Sequence, residues 1–557
     1  MHTFRSGCLG VLALLAMLEV TGPATAQQKP SGQPQAPQSV FGEQIEVRVV
    51  NVEAVVTDRQ GNRVTGLRPG DFRLEVDGKP VPIEYFNEVR GGQAVAPGEE
   101  DRNSPVKGLP SLVAGSPVGT SYLVFIDNYF SLGPRRNDVL RSLKDQLSRL
   151  GPEDRMAIVS WGGGQVAMLT SWSNSARDLG NAIEKAIGEP ASGIARLAEL
   201  RTFQSSRRLA GGALVDRSRL AFAQQADVEE LEFAQRLVGE TEHAVAAAVS
   251  TLHGFAAPPG RKVMLLLSGG WPYSIMDYVI NNPNRPVIER EVPRGEEILE
   301  PLVDTANRLG YTLYPVDVPG IEGTAADASL AAPAPTGLNI REQEHEATLL
   351  YVAQQTGGKA LLNAQSAEAL QIAESDTRSY YWLGFTPSWQ GNDKPHKVRL
   401  AVLPKGLNVR SRSGFLDLSR KAENSLIVES AMMFGNSPDV IPMPVKLGAP
   451  TASGRREMEV PISLAIPVDA ITFVPVNGKQ TAELELRVAA VDSGGNRAPV
   501  PVIPVTLTGA EAPKAGAYVR YDTRLKLRKQ PHHLTLAIFD PLSGKILTAQ
   551  ADVAPPK

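Results

Sequence analysis

Three short runs constrain this chain more than anything else in it. They are Tyr122-Leu123-Val124-Phe125-Ile126, Val263-Met264-Leu265-Leu266-Leu267 and Thr312-Leu313-Tyr314-Pro315-Val316. Each is too short for an ordinary helix and too continuously apolar for a strand with one wet face. Runs of this kind are strands buried on both sides, which requires helices above and below the sheet. Met156-Ala157-Ile158-Val159 reads as a fourth strand, and Val166-Ala167-Met168-Leu169 as another. Helical patterns lie between them. Val139, Leu140, Leu143, Leu147 and Leu150 share one face. A helical region over roughly 175–255 carries the stripe Leu231, Ala234, Leu237, Ala244, Ala248 and Leu252, and further helices are predicted near 296–309 and 343–355. Strands alternating with helices predict right-handed crossovers and a mostly parallel, Rossmann-like sheet over residues 119–377.

The rest of the chain has a different period. From 45 to 90, Val47, Val49, Val52, Val55, Val56, Leu67, Phe72, Leu74 and Val76 are punctuated by turns at Asp58-Arg59-Gln60-Gly61-Asn62 and Asp77-Gly78, which predicts a small all-β domain. Residues 91–118 are rich in Gly, Pro and Ser and read as a linker. Residues 378–420 return to a β pattern with Tyr380, Tyr381, Trp382, Leu383 and Phe385, and are expected to extend the core. From 421 to 557 alternation dominates, as in Leu484, Leu486 and Val488 against Glu483, Glu485 and Arg487. With turns at Gly494-Gly495-Asn496 and Ser543-Gly544-Lys545, this region predicts an immunoglobulin-like β-sandwich.

The amino terminus reads as an address. His2 and Arg5 precede an apolar run from Cys8 to Leu18, and Ala24-Thr25-Ala26 offers a small-x-small cleavage site, so residues 1–26 are expected to be a signal peptide. Residues 27–44, rich in Gln, Pro and Ser, follow as a disordered leader. Cys8 is the sole cysteine, so cleavage would leave a product without disulfide, Cys-based zinc site or thiol nucleophile. No other stretch resembles a membrane span. Export to a periplasm or the medium is the expectation.

Composition narrows the function. The 557 residues are 42% hydrophobic and 21% charged, ordinary for a globular protein and far from a disordered chain. The 57 Lys and Arg against 60 Asp and Glu leave a net charge of −3, so the basic excess of a nucleic-acid binder is missing.

In an open parallel sheet, ligands bind beyond the carboxyl ends of the strands. Those ends carry Asp127-Asn128-Tyr129-Phe130-Ser131, Trp161-Gly162-Gly163-Gly164, Ser268-Gly269-Gly270 and Asp317. Asn128, Tyr129, Ser268 and Asp317 are therefore the predicted binding rim, and its oxygens could hold a hard divalent cation.

At this point the chain resembles a von Willebrand factor A domain, in the secreted bacterial group called von Willebrand factor type A-related and abundant in acidobacteria. The resemblance spans roughly 45–415. It rests on Val64-Thr65-Gly66-Leu67, Asp71-Phe72, Asp77-Gly78-Lys79-Pro80, Gly151-Pro152-Glu153-Asp154-Arg155 and Pro259-Gly260-Arg261-Lys262, then Ser268-Gly269-Gly270, Tyr314-Pro315-Val316-Asp317, Thr356-Gly357-Gly358 and Tyr380-Tyr381-Trp382-Leu383-Gly384-Phe385, in that order. It implies a von Willebrand factor A-like α/β core flanked by β domains. It also implies a metal-ion-dependent adhesion site for Mg²⁺ or Mn²⁺, with Asp-x-Ser-x-Ser in its first loop, Thr in its second and Asp in its third.

The match to that site is partial. Asp127 and Ser131 occupy the first and last positions of the first loop, Tyr129 replaces its middle Ser, and Ser268 stands where the third-loop Asp belongs. Gly211-Gly212-Ala213 has Ala where the second-loop Thr would sit. The resemblance thus implies a degenerate site with no cofactor expected, Asp127 and Ser131 being the metal ligands if Mg or Mn binds at all. The alternative is that Asp127 caps nearby backbone N–H groups and Ser131 caps the following helix. A rearranged site using Asn128 or Asp317 has only proximity on the rim behind it.

Other constellations are thinner. His532 and His533 alternate across a strand. His243 and His253 are too far apart along a helix to share an ion. His345-Glu346 lacks the second His of a zinc-protease helix. Arg524, Lys526, Arg528 and Lys529 mark a solvated strand face. Residues 189–225, with Arg196, Arg201, Arg207, Arg208, Arg217 and Arg219, read either as a solvated helical arm or as an insertion near the rim suited to partner recognition. The expectation is a secreted, non-enzymatic, adhesion-type binding protein with a protein partner. The alternatives are an envelope assembly protein, or a hydrolase using Asp127, Ser268 and Asp317.

Overall fold

The computed structural model describes residues 49–95, 115–196, 219–255, 260–269, 271–275, 292–318, 337–419, 440–492, 502–511 and 514–556, with isolated positions between 197 and 203 and between 421 and 432. The signal peptide and leader, most of the linker, Gly211-Gly212-Ala213, Gly270, the Gly494-Gly495-Asn496 turn and most of the Arg-rich arm lie outside the described residues. The chain divides into two compact units, a larger one over 48–434 and a smaller one that takes in 435–557.

Among its described residues the larger unit holds fourteen strands in chain order. They are β1 (Val50–Thr57), β2 (Phe72–Val76), β3 (Lys79–Pro80), β4 (Tyr85–Arg90), β5 (Gln93–Ala94), β6 (Thr120–Asp127), β7 (Arg155–Trp161), β8 (Val166–Ser173), β9 (Arg261–Ser268), β10 (Tyr311–Asp317), β11 (Tyr380–Phe385), β12 (Lys394–Val402), β13 (Asn408–Arg410) and β14 (Gly414–Asp417). Its helices are α1 (Gly133–Asp145), α2 (Ala176–Gly188), α3 (Arg219–Gly254), α4 (Gly295–Leu309), α5 (Gly337–Gln355) and α6 (Ala369–Thr377).

Residues 45–90, read as a small domain of their own, and 378–420, read as an extension of the core, build one β-sandwich. One sheet runs β13-β1-β11-β4-β5 and the other β14-β12-β2-β3. The register pairs Val52 with Leu383 and Leu74 with Leu400 across more than three hundred positions of sequence. Alternation explains the fit. Val50, Val52, Ala54 and Val56 point into a core with Phe72, Tyr381, Leu383 and Phe415. The Asp77-Gly78 turn joins β2 to β3 with both residues at positive φ, the geometry that a two-residue hairpin demands.

The α/β region lies between these halves. Its sheet has the order β10-β9-β6-β7-β8. β10, β9, β6 and β7 are parallel, but β8 returns antiparallel to β7 after the short Gly162-Gly163-Gly164-Gln165 connection, too short for a crossover. α3, α4 and α5 cover one face, over Leu123, Phe125, Val159 and Leu266. α1, α2 and α6 cover the other, over Val124, Ile158, Leu265 and Val316. The helical region expected over 175–255 includes two helices, α2 and α3, and the arm between them is helical at its described positions 193–196, 198–199 and 202–203.

The smaller unit adds β15 (Val440–Pro442), β16 (Val445–Leu447), β17 (Thr451–Ala452), β18 (Glu457–Pro467), β19 (Val474–Val476), β20 (Lys479–Asp492), β21 (Val502–Gly509), β22 (Tyr518–Arg528), β23 (His532–Phe539) and β24 (Ile546–Val553). One sheet runs β15-β24-β23-β20, with β19 and β21 also on β20. In the other, β18 pairs with β16, β17 and β22. Inward residues of both, among them Val460, Ile462, Leu484, Leu486, Leu525 and Leu536, form one core.

The expected fold class is therefore corrected. A von Willebrand factor A-like, Rossmann-like core with a mostly parallel sheet does not describe this chain. Strand residues outnumber helical ones, the α/β sheet is mixed, and the other four sheets are antiparallel apart from the β15–β24 pair. The apolar runs dominated the sequence reading because burial on both faces makes a conspicuous signal. The half-buried strands carry a weaker alternating pattern and make up more of the molecule.

Candidate functional site

In a parallel ladder, residues in register point to the same face. Trp161, Asp127, Ser268 and Asp317 stand in one row across β7, β6, β9 and β10, at the carboxyl ends of their strands. Alternation puts them on the face covered by α3, α4 and α5, because Leu123, Phe125, Met264, Leu266 and Leu313 face that way. Asp127, Ser268 and Asp317, singled out from the sequence, thus stand side by side, while the Asn128 side chain turns to Glu189 and Arg136.

Asp127 is fully buried. Its Oδ1 accepts from the backbone N–H of Tyr129 at 2.9 Å and of Phe130 at 3.1 Å. Its Oδ2 accepts from the Ser268 hydroxyl at 3.0 Å and from the Trp271 indole N–H at 2.7 Å. A carboxylate offers about four lone-pair sites, and here each has a donor. No cation is among these partners, so burial pushes the acid up to about 6 even though the four hydrogen bonds oppose the shift.

The residues do not fit a divalent ion. A cation at Asp127 would have to displace Ser268 and Trp271 or unwind the loop behind it. Ser131 is buried, and its Oγ finds no partner among the described residues. It does not cap α1 as the sequence alternative had it. Leu132 holds the cap position without a side-chain bond, and the chain enters the helix through Gly133 and Pro134. Among the described residues no three His, Cys, Asp or Glu side chains cluster.

Asp317 lies apart from the Asp127 network. Its Oδ2 accepts weakly from the Asn363 N–H at 3.4 Å, and its Oδ1 is 3.4 Å from His345 Nε2 on α5. The proton of Ser268 goes to Asp127. With Ser268 fully buried, the serine is not set up as a nucleophile against a histidine base.

The outer part of the rim is aromatic and cationic. The Tyr129 ring packs against Trp161 with centroids 5.3 Å apart. It also lies so close to Gly163, at φ +98°, that a Cβ there would meet the ring at 2.6 Å. Arg196, at the start of the arm, places its guanidinium 4.3 Å from the Tyr129 ring centre. Arg196 pairs with Glu240 of α3 and with Glu199, and Arg236 pairs with Glu199 at 2.9 Å. Burial raises the Glu240 carboxyl above its ordinary value.

The arm's base is bolted to the β6 loop. Asn128 donates to Glu189 at 2.8 Å and accepts from the buried Arg136, while Arg136 also donates to the Glu189 carbonyl at 2.9 Å. The Ser192 and Gly193 N–H groups donate to the carbonyls of Asn128 and Ser131. Gly193 is obligatory, since a Cβ there would lie 2.4 Å from the Ser131 carbonyl oxygen. Ile194, next along, is 62% exposed. Trp271, Arg136, Glu189, Glu240 and His345 were not picked out as rim residues by sequence. The one available signal was Trp271, a large indole just behind Ser268-Gly269-Gly270.

No family model matches the chain, and no curated protein matches it. Among solved structures, it is similar to a Northeast Structural Genomics Consortium target at 18% identity over 20% of this chain and 87% of that one, with a TM-score of 0.13. It is also similar to a Bacteroides uniformis β-glucuronidase at 7% identity over 32% of this chain, with a TM-score of 0.15. The match spans 19% of the glucuronidase. Neither likeness reaches the level at which a fold is shared. No helix among the described residues is long and apolar enough to cross a membrane.

Proposed function

We propose that this chain is a secreted, non-enzymatic binding protein that engages a protein partner through the outer rim of its α/β sheet, without a bridging metal. The observation that carries this reading is the saturation of Asp127 by four neutral donors, which leaves that carboxylate no free lone pair for a cation. What the rim presents instead is Tyr129, Arg196 and the exposed Ile194 on a braced loop. Tyrosine and arginine beside an aliphatic anchor are the side chains that dominate protein interfaces. Bracing lowers the ordering cost of binding. The signal-like residues 1–26 support export.

The test is site-specific photo-crosslinking in the producing cell, with the probe at Ile194 and, as a control, at the equally exposed Leu403 of the sandwich. The expected result is one discrete adduct at Ile194, none at Leu403, unchanged by a chelator, and reduced at least about tenfold by Arg196→Ala. An adduct that needs Mg²⁺, or none at Ile194, overturns the reading.

A further inference from the structure

β22 is an edge strand. It pairs with β18 over its whole length, from Tyr518 to Arg528, and with no other strand among the described residues. Its outward side chains alternate as Tyr518, Arg520, Asp522 and Arg524, all more than half exposed. Charges on an edge ordinarily blunt pairing with other chains. This pattern has a further property, because it is complementary to itself.

We propose that β22 pairs antiparallel with β22 of a second copy of this chain, about a two-fold axis at Tyr521. That register sets Arg520 opposite Asp522 twice and Arg524 opposite the Tyr518 ring twice. Lys526 and Arg528 then fall opposite residues that precede the strand. The neighbouring registers fail. An axis at 522 sets Asp522 against Asp522, an axis at 523 sets Arg520 against Lys526 and so offsets its two Asp522–Arg524 pairs, and an axis at 520 sets Arg520 against Arg520. Like charges directly opposite are destabilising in a ladder. The Asp522 carboxylate is positioned for the contact. Its Oδ1 takes both Arg520 of its own strand and Ser463, and Oδ2 has no partner among the described residues. A strand edge buries less than a standard interface of about 1,600 Å², so the self-association is expected to be weak and dependent on concentration.

Sedimentation equilibrium on the purified protein tests this with two exposed substitutions. Arg520→Asp gives two acidic positions and Asp522→Arg two basic ones, so each alone sets like charges opposite. Asp522→Arg is expected to weaken the dimer at least about tenfold, the effect of about 1.4 kcal/mol, because it sets like charges opposite about an axis at 523 as well, whereas Arg520→Asp can recover pairs with Lys526 there. An equimolar mixture restores opposite charges and is expected to form a heterodimer at least as tight as the native dimer. A native protein that stays monomeric overturns the proposal. So does a dimer indifferent to both substitutions, which would lie on another surface, and so does a mixture that fails to re-form it.

Discussion

The two ends of the parallel strands bury acids in opposite ways. At the carboxyl end Asp127 is held by neutral donors alone. At the amino end Glu53 of β1 meets the guanidinium of Arg261, the first residue of β9, at 3.1 Å with both side chains buried. Thr312 donates to the same carboxylate, and the Arg261 guanidinium also stacks 4.1 Å from the Tyr380 ring centre. Cation pairing holds the sandwich against the strand ends, where both partners are fixed by β-structure. Dipolar donors hold the rim, where the loop itself must be shaped. A carboxylate ringed by N–H and O–H groups organises backbone around itself, whereas an ion pair joins two finished surfaces.

The comparison can be broken at its strong end first. Glu53→Ala leaves Arg261 buried and unpaired, and removing one partner of a buried pair costs about 3–5 kcal/mol. A melting temperature of the larger unit lowered by less than a few degrees would refute the ion pair as the clamp. The next largest effect is at the rim. Asp127→Ala orphans four donors, and about 3 kcal/mol is expected from unpaired buried groups together with the cavity. Asp127→Asn should cost less, because its amide oxygen still accepts from the loop N–H groups, although its NH₂ faces the Trp271 N–H.

The smallest effect sharpens the contrast. The folded-state acidity of Asp127, about 6, lies above the ordinary 3.8. The folded protein therefore binds more protons between those values, so stability rises as pH falls from about 7 towards 4 and is flat above 7. The shift amounts to at most about 3 kcal/mol. Urea unfolding of native protein and Asp127→Asn across pH 4–8 should show that slope in the first and not in the second. Equal slopes would mean the acid is not held as described.

The buried strands, their order along the chain and the rim row of Asp127, Ser268 and Asp317 were legible in the sequence, because continuous apolar runs ending in a polar residue have few other readings. The antiparallel return of β8 was not, since a glycine-rich turn gives no direction to the strand after it. Nor was the joining of β1 to β11, because alternation fixes which face a strand buries and says nothing about its partner. Asp127 was singled out for its type and place, but its saturation depended on Trp271, whose indole reaches back from beyond the strand end. Ser131 misled as a cap, because helix α1 starts at Gly133 without using a side chain.

The sandwich of the larger unit also sets an order of assembly. Val50 must find Phe385, and Phe72 must find Val402, after the whole α/β region has emerged between them. Contacts so distant in sequence are slow to form. Until residue 385 arrives, β1 and β4 lack the strand that lies between them in the finished sheet. The amino-terminal half-sandwich is thus an adhesive surface during synthesis, and the α/β region, whose own sheet draws on residues 120–317, can close first and carry the missing half back to it.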